Sequence, residues 1–229
     1  MADLQNPRLP TTTTAAIAGD LTRARELYLA GGKDSDRQAT ELLLRAFEAS
    51  KGAADRVPLD QIDSLSRLVH LLATQGQGEL AGRWASTLYS SIMGKEEWLK
   101  NATLEDAYVW ASKGLAMAGR FVEALNVEDR FIQSVARRLA RPSLAVTQSW
   151  FRSAVYHYHE GHTTRALIIA TKASDIGWRE LRGSKEDAQM LAELLLCVKK
   201  LQEIEGAPQQ AILRTRRKLT ETMRLLHES

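Results

Sequence analysis

Only one cysteine, Cys197, stands among the 229 residues. An internal disulfide is excluded, and the expectation is a chain held by packing in a reducing compartment. Aromatic residues make up 6%, and Val and Ile are sparse beside Ala and Leu, which argues against sheet. The five prolines and fourteen glycines fall mostly between periodic segments. No run reaches the roughly 18 apolar residues of a membrane span. The segment Met1–Thr14 carries Pro7, Pro10 and four threonines, without the apolar stretch of a secretion signal. Charge of either sign is not in large excess: the net is +3 and the pI near 9.0, too little to argue nucleic-acid binding alone. The expectation is a soluble, cytoplasmic protein without membrane attachment.

What the chain has is apolar material in helical register. Hydrophobic residues reach 44%, enough to offset the entropy of ordering the chain. Amphipathic segments predict about ten helices, over 14–30, 36–51, 58–75, 78–93, 102–118, 120–140, 143–160, 162–177, 185–205 and 208–227. Pro58 and Pro208 suit a first helical position. Thr103 with Asp106, and Ser184 with Asp187, have the spacing of capping boxes. Gly119, Gly161 and Gly206 fall where a helix should stop. No run alternates with period two, so the class is all-α. Residues 1–13 are expected as a disordered tail, 14–57 as a divergent N-terminal cap and 58–229 as four helix pairs, with 14–229 forming one repeat domain.

A repeat is written in the glycines. Gly19/Ala24, Gly76/Ala81, Gly119/Ala124, Gly161/Ala166 and Gly206/Ala211 share one spacing, and the glycines step by 57, 43, 42 and 45 residues. The stretch Gly119-Arg120-Phe121-Val122-Glu123-Ala124-Leu125 resembles the turn and second-helix start of a tetratricopeptide repeat. Trp150, Ala154, Gly161, Ala166, Ala170 and Ala173 resemble that repeat's large and small signature residues, with small alanines admitting a neighbouring helix. Leu65, Leu68, Leu72, Ala81 and Ala85 match fairly, and Glu128 departs from the pattern. The step exceeds the repeat's usual 34 residues, and its terminal proline is missing. The resemblance implies a right-handed superhelical solenoid of antiparallel helix pairs.

Candidate chemistry is scarce. His157, His159, Glu160 and His162 lie close in sequence. Residues two apart on a helix point about 200° apart, and Gly161 separates His159 from His162, so no metal is expected. Gly76-Gln77-Gly78-Glu79-Leu80-Ala81-Gly82 follows a helix, not the strand a phosphate-binding loop requires. Cys197 lies in an apolar run and has no partner base in view. Glu96 and Glu97 read as solvated loop charges. No nucleophile elbow, zinc-protease or kinase signature occurs. An enzyme is not expected, nor a cofactor.

Binding is the expected function. The resemblance implies a ligand face on the first helix of each pair, which assigns Asp63, Ser66, His70 and Thr74, then Asp106 and Lys113. It further assigns Gln148, Phe151, Tyr158 and His159, and finally Lys200 and Glu203. The implied partner is another protein or peptide, the implied role an adaptor or scaffold. A ligand-sensing regulatory domain is the alternative. Residues 199–229 hold seven Lys or Arg against four Glu. These read as solvated faces, with a nucleic-acid surface the lesser option because no aromatics interleave with them. The terminal helix, apolar at Ile212, Leu213, Leu219, Met223 and Leu226, needs a cover, either its neighbour or a second copy in a homodimer.

Overall fold

A computed structural model describes residues 11–50, 57–181 and 184–228. Among them are ten α-helices and no strand: α1 (Thr11–Ala30), α2 (Lys33–Ser50), α3 (Ile62–Thr74), α4 (Gly78–Ile92), α5 (Asn101–Met117), α6 (Phe121–Ser134), α7 (Pro142–His159), α8 (Thr163–Glu180), α9 (Lys185–Ile204) and α10 (Gln209–Glu228). The all-α expectation holds. Of the expected tail, residues 1–10 lie outside the described residues, and α1 begins at Thr11. No described helix is long and apolar enough to cross a membrane.

Tight glycine turns follow several of the helices. Four of these turns are the same device. Gly76, Gly119, Gly161 and Gly206 each take a left-handed φ of 64–78°, which a side chain resists and glycine does not. The next residue's N–H then reaches back to a carbonyl five residues earlier: Gln77 to Leu72, Arg120 to Leu115, His162 to His157 and Ala207 to Gln202, at 2.8–3.0 Å. Helix-end carbonyls are thereby satisfied. Gly19 does not belong to the series, because it lies inside α1. The α1–α2 turn uses Gly31 (φ 68°), whose N–H bonds Leu27 O at 3.2 Å. With Gly31 in place of Gly19, the turn glycines step by 45, 43, 42 and 45 residues.

The caps divide. Ser184 caps α9, its Oγ accepting from the Asp187 N–H at 3.1 Å. Thr103 does not cap α5, which already starts at Asn101. Helix α6 ends six residues before the expected 140. A tight turn at Ala136–Arg138 buries Val135, Ala136 and Leu139 together, and Pro142 keeps Arg141 out of the helical region (φ −126°, ψ 68°).

Contacts group the chain into two compact units, one up to Arg120 and one from Phe121 on. In the first, α1 to α5 pack in succession, and α3 also touches α5. Its core is Ile62, Leu65, Leu68, Leu72, Ala81, Trp84, Ala85, Leu88, Leu104, Tyr108 and Ala111, all nearly solvent-free. Each buried Leu or Ile contributes about 1.5–3 kcal/mol. Glu96 is part of this interior, not a solvated charge: it is buried and accepts from Tyr108 Oη at 3.1 Å.

Helices α4 and α5 approach through small residues. A Cβ on Gly78 would sit 2.5 Å from Met117 O, and one on Gly82 would overlap the Ala118 methyl. Across from them, a Cβ on Gly114 would meet Val69 Cγ1 at 2.6 Å and Ala85 Cβ at 2.8 Å. Gly114 thus faces α3 and α4 at once.

In the second unit, α6 to α10 pack in succession, with a further contact between α7 and α9. Ala154, Ala166, Ala170 and Ala173 form its centre with Leu194, Val198 and Leu201, flanked by Trp150 and Phe151. Glu128, the misfit in the repeat pattern, is buried at 1% exposure. Both its oxygens are engaged: Arg152 Nε donates at 2.5 Å, Arg152 Nη2 at 2.9 Å and Ser149 Oγ at 2.6 Å. The departure from the signature is a buried, paired charge tying α6 to α7.

Two stability predictions follow from these contacts. Gly82→Ala forces α4 from α5 and should lower unfolding free energy by about 1–3 kcal/mol, whereas Gly19→Ala, with nothing within 4 Å, should be neutral or stabilising. Chemical denaturation of the two variants checks this, and equal effects contradict it. Arg152→Ala strands the Glu128 charge and should cost about 3–5 kcal/mol; a loss below 1 kcal/mol would show that the carboxylate finds another partner.

Candidate functional site

The face carried by α1, α3 and α5 holds a row of rings. Tyr28 on α1 lies 2.8 Å by its hydroxyl from Nδ1 of His70 on α3. The Tyr28 and His70 rings meet edge-on at 5.8 Å. On its other side His70 stacks on Trp110 of α5, centroids 4.0 Å apart and planes at 21°. Cations flank the row: Arg67 lies 4.8 Å over Tyr28 and Lys113 4.7 Å over Trp110, each a favourable contact with a ring face. Arg67 also pairs with Asp63 at 2.9 Å. Its Nη1, shielded from solvent, has no acceptor among the described residues.

Positions one helical turn apart explain how the row forms. Asp63, Arg67 and His70 rise on one side of α3, and Asp106, Trp110 and Lys113 on one side of α5. The α3–α5 contact sets the two stripes beside each other. Charge and burial tune them. Burial, then the nearby Lys113, holds the His70 imidazole below the usual histidine range, against the pull of Asp36 and Asp106. Burial also raises the Tyr28 phenol, helped by Asp106, Asp36 and Asp63 and opposed by Arg67. Asp106 stands on the exposed rim, yet the protein packed against one side of its carboxyl raises its pKa, and Asp63 adds to this while Arg67 and His70 oppose it. A neutral His70 accepts a hydrogen bond from the Tyr28 hydroxyl at Nδ1 when its own hydrogen sits on Nε2.

Sequence reasoning placed Asp63, His70, Asp106 and Lys113 here, and the structure brings them together. Ser66 is elsewhere: it is buried, its hydroxyl donating to Ile62 O at 2.9 Å. Thr74 is spent on Leu71 O at the exposed end of α3. Tyr28, Arg67 and Trp110 were missed. The available signal was the one-turn spacing of Trp110 from Asp106 and Lys113.

In the second unit, Tyr158 and Lys200 share a shallow groove of about 260 Å³ between α7 and α9, walled by Val155, Leu196, Cys197, Leu201 and Ile204. Leu196, Ile204 and Tyr158 stay 51%, 50% and 40% exposed. Cys197 is half-buried, and burial raises its thiol pKa with Lys200 opposing; it acts as apolar wall. His159 is exposed and stacks on Phe121 at 5.1 Å. Glu203 faces the cations Lys199 and Arg216, 3.5 Å from each. Phe151 packs on the alanine-rich core, and Gln148 is half-buried. His157 is a packed core histidine whose pKa is lowered by burial, then by Arg165 and His162. Among the described residues no group of three or more His, Cys, Asp or Glu is placed to hold a metal.

No family model matches the chain, and no curated protein matches it. Among solved structures it is similar to a de novo designed helical repeat protein, at 19% identity over 96% of this chain and 97% of that one, with a TM-score of 0.30. The helical repeat assignment rests on the chain's own turns and helix contacts.

A pH dependence follows from His70. Between its depressed folded pKa and the ordinary 6.5, the unfolded chain binds a proton that the folded chain does not. Stability is therefore complete above 6.5 and falls as the pH drops below it. His157 acts in the same direction. The urea midpoint should fall between about pH 7.5 and about pH 5.5, and fall less in His70→Gln; an equal fall in both proteins contradicts the assignment.

Proposed function

We propose that the chain is a non-catalytic protein-interaction module of tetratricopeptide-like type, which binds a segment of a partner protein on the faces of its odd-numbered helices. The observation that carries this is the row Tyr28–His70–Trp110, contributed by three separate helices and bordered by Asp63, Arg67, Asp106 and Lys113. Half-buried rings amid charges offer large contact area at little cost in side-chain entropy, the composition of energetic anchors at protein interfaces. The five turn glycines at near-equal steps support the repeat reading, since stacked hairpins present such faces in series.

The arrangement also tells against a nucleic-acid surface on α10. Lys218 is held by Asp175 at 2.8 Å and Arg216 lies 3.5 Å from Glu203, so two of its cations already have acidic neighbours. Pull-down from native lysate with the wild-type chain and with Trp110→Ala and Lys113→Glu is the test. The reading expects a protein retained at high salt, insensitive to nuclease and lost with Trp110→Ala, an anchor of about 2 kcal/mol or more. Retention abolished by nuclease or by salt, with Trp110→Ala unchanged, would reject it in favour of the basic helix.

A further inference from the structure

We infer that the groove between α7 and α9 docks an amphipathic helix of a partner protein that carries a carboxylate beside its apolar stripe. This rests on the binding-module reading and names the partner's chemistry at a second place on the chain.

Four features of the groove select that occupant. Its volume, about 260 Å³, falls short of the roughly 300–1,000 Å³ that encloses a drug-sized ligand, and it is open. It accommodates one or two large side chains presented from outside. Its walls are apolar side chains of two helices, whose backbone groups are already bonded within those helices. An extended peptide laid there would leave its own N–H and C=O groups without partners, whereas a helix satisfies them internally. Leu196, Lys200 and Ile204 recur at one-turn steps over about 12 Å of α9, opposite Val155 and Tyr158 on α7. Two parallel ridges of this kind receive the ridge of a third helix.

The fourth feature is charge. Lys200 sits midway along the exposed stripe, and no acidic side chain among the described residues pairs with it; the neighbouring Lys199 is the one that Glu203 approaches. The groove thus offers an apolar floor and one available cation. Its complement is a helix with Leu- or Phe-type residues at i, i+4 and i+7 and an Asp or Glu on the flank facing Lys200.

The test uses the full chain as bait for a phage-displayed library of helical 16-residue peptides, randomised on one face. Selections run in parallel on the wild type and on Leu196→Glu, Lys200→Glu and Trp110→Ala. Leu196 and Lys200 are exposed, so those variants should keep the wild-type circular dichroism and melting temperature. The inference expects wild-type selection to enrich apolar i, i+4, i+7 patterns flanked by Asp or Glu. Leu196→Glu should abolish the enrichment, Lys200→Glu should weaken the enriched peptides by about tenfold or more while favouring Lys or Arg at the same position, and Trp110→Ala should change nothing. Enriched peptides without an acidic flank, or binding that survives Leu196→Glu, overturn it. Enrichment lost only with Trp110→Ala overturns the groove and leaves the binding-module reading standing; no enrichment on any bait overturns the groove while the lysate experiment decides the module.

Discussion

The approach of α5 to α3 and α4 through Gly114 is the contact on which the first unit depends. A methyl group there would strike Val69 of α3 and Ala85 of α4 together. Gly78 and Gly82 of α4 lie as close to the end of α5. Such small residues let helix backbones come within the lower range of packing distances. The consequence reaches the surface. His70 follows Val69 on α3, and Trp110 lies one turn before Gly114 on α5. Bringing the helices together at Val69 and Gly114 brings the imidazole onto the indole at 4.0 Å. The ring row is thus a product of core packing within one helical turn of it.

Electrostatics is handled differently in the two units. On the surface of the first, Asp63, Asp106, Arg67 and Lys113 surround aromatic faces and stay partly solvated. In the interior of the second, Glu128 is removed from water and matched by Arg152 and Ser149. Arg141 pairs with the buried Asp187 at 2.5 Å from the surface side, its own side chain 53% exposed. Buried pairs of this kind contribute little net stability against an apolar substitute, but breaking one leaves a charge in a low-dielectric interior.

Much of the fold was legible in the sequence because turn chemistry and helical periodicity are local. Gly119, Gly161 and Gly206 end helices as expected, since the left-handed turn needs a residue without Cβ. Gly19 misled because a glycine five residues before an alanine marks a turn only if the helix stops there, and α1 continues through it with Asp20 anchored to Arg45 at 2.7 Å. What the sequence did not show is contact at long range. The burial of Glu96 depends on Tyr108, and that of Glu128 on Arg152, twelve and twenty-four residues away. Likewise, the stacking of Trp110 on His70 joins residues forty positions apart on two helices. Ser66 failed as a surface residue because the register carried over from a repeat family does not say which side of α3 is covered here.

The most direct measurement of this account is the NMR spectrum of the His70 imidazole in the wild type and in Gly114→Ala. Stacking on Trp110 should shift its ring protons upfield in the wild type. In a Gly114→Ala protein that remains folded, the displaced α5 should carry Trp110 away and return those protons toward ordinary histidine positions. An unchanged upfield shift in the folded variant would contradict the claim that close packing at Gly114 builds the surface row.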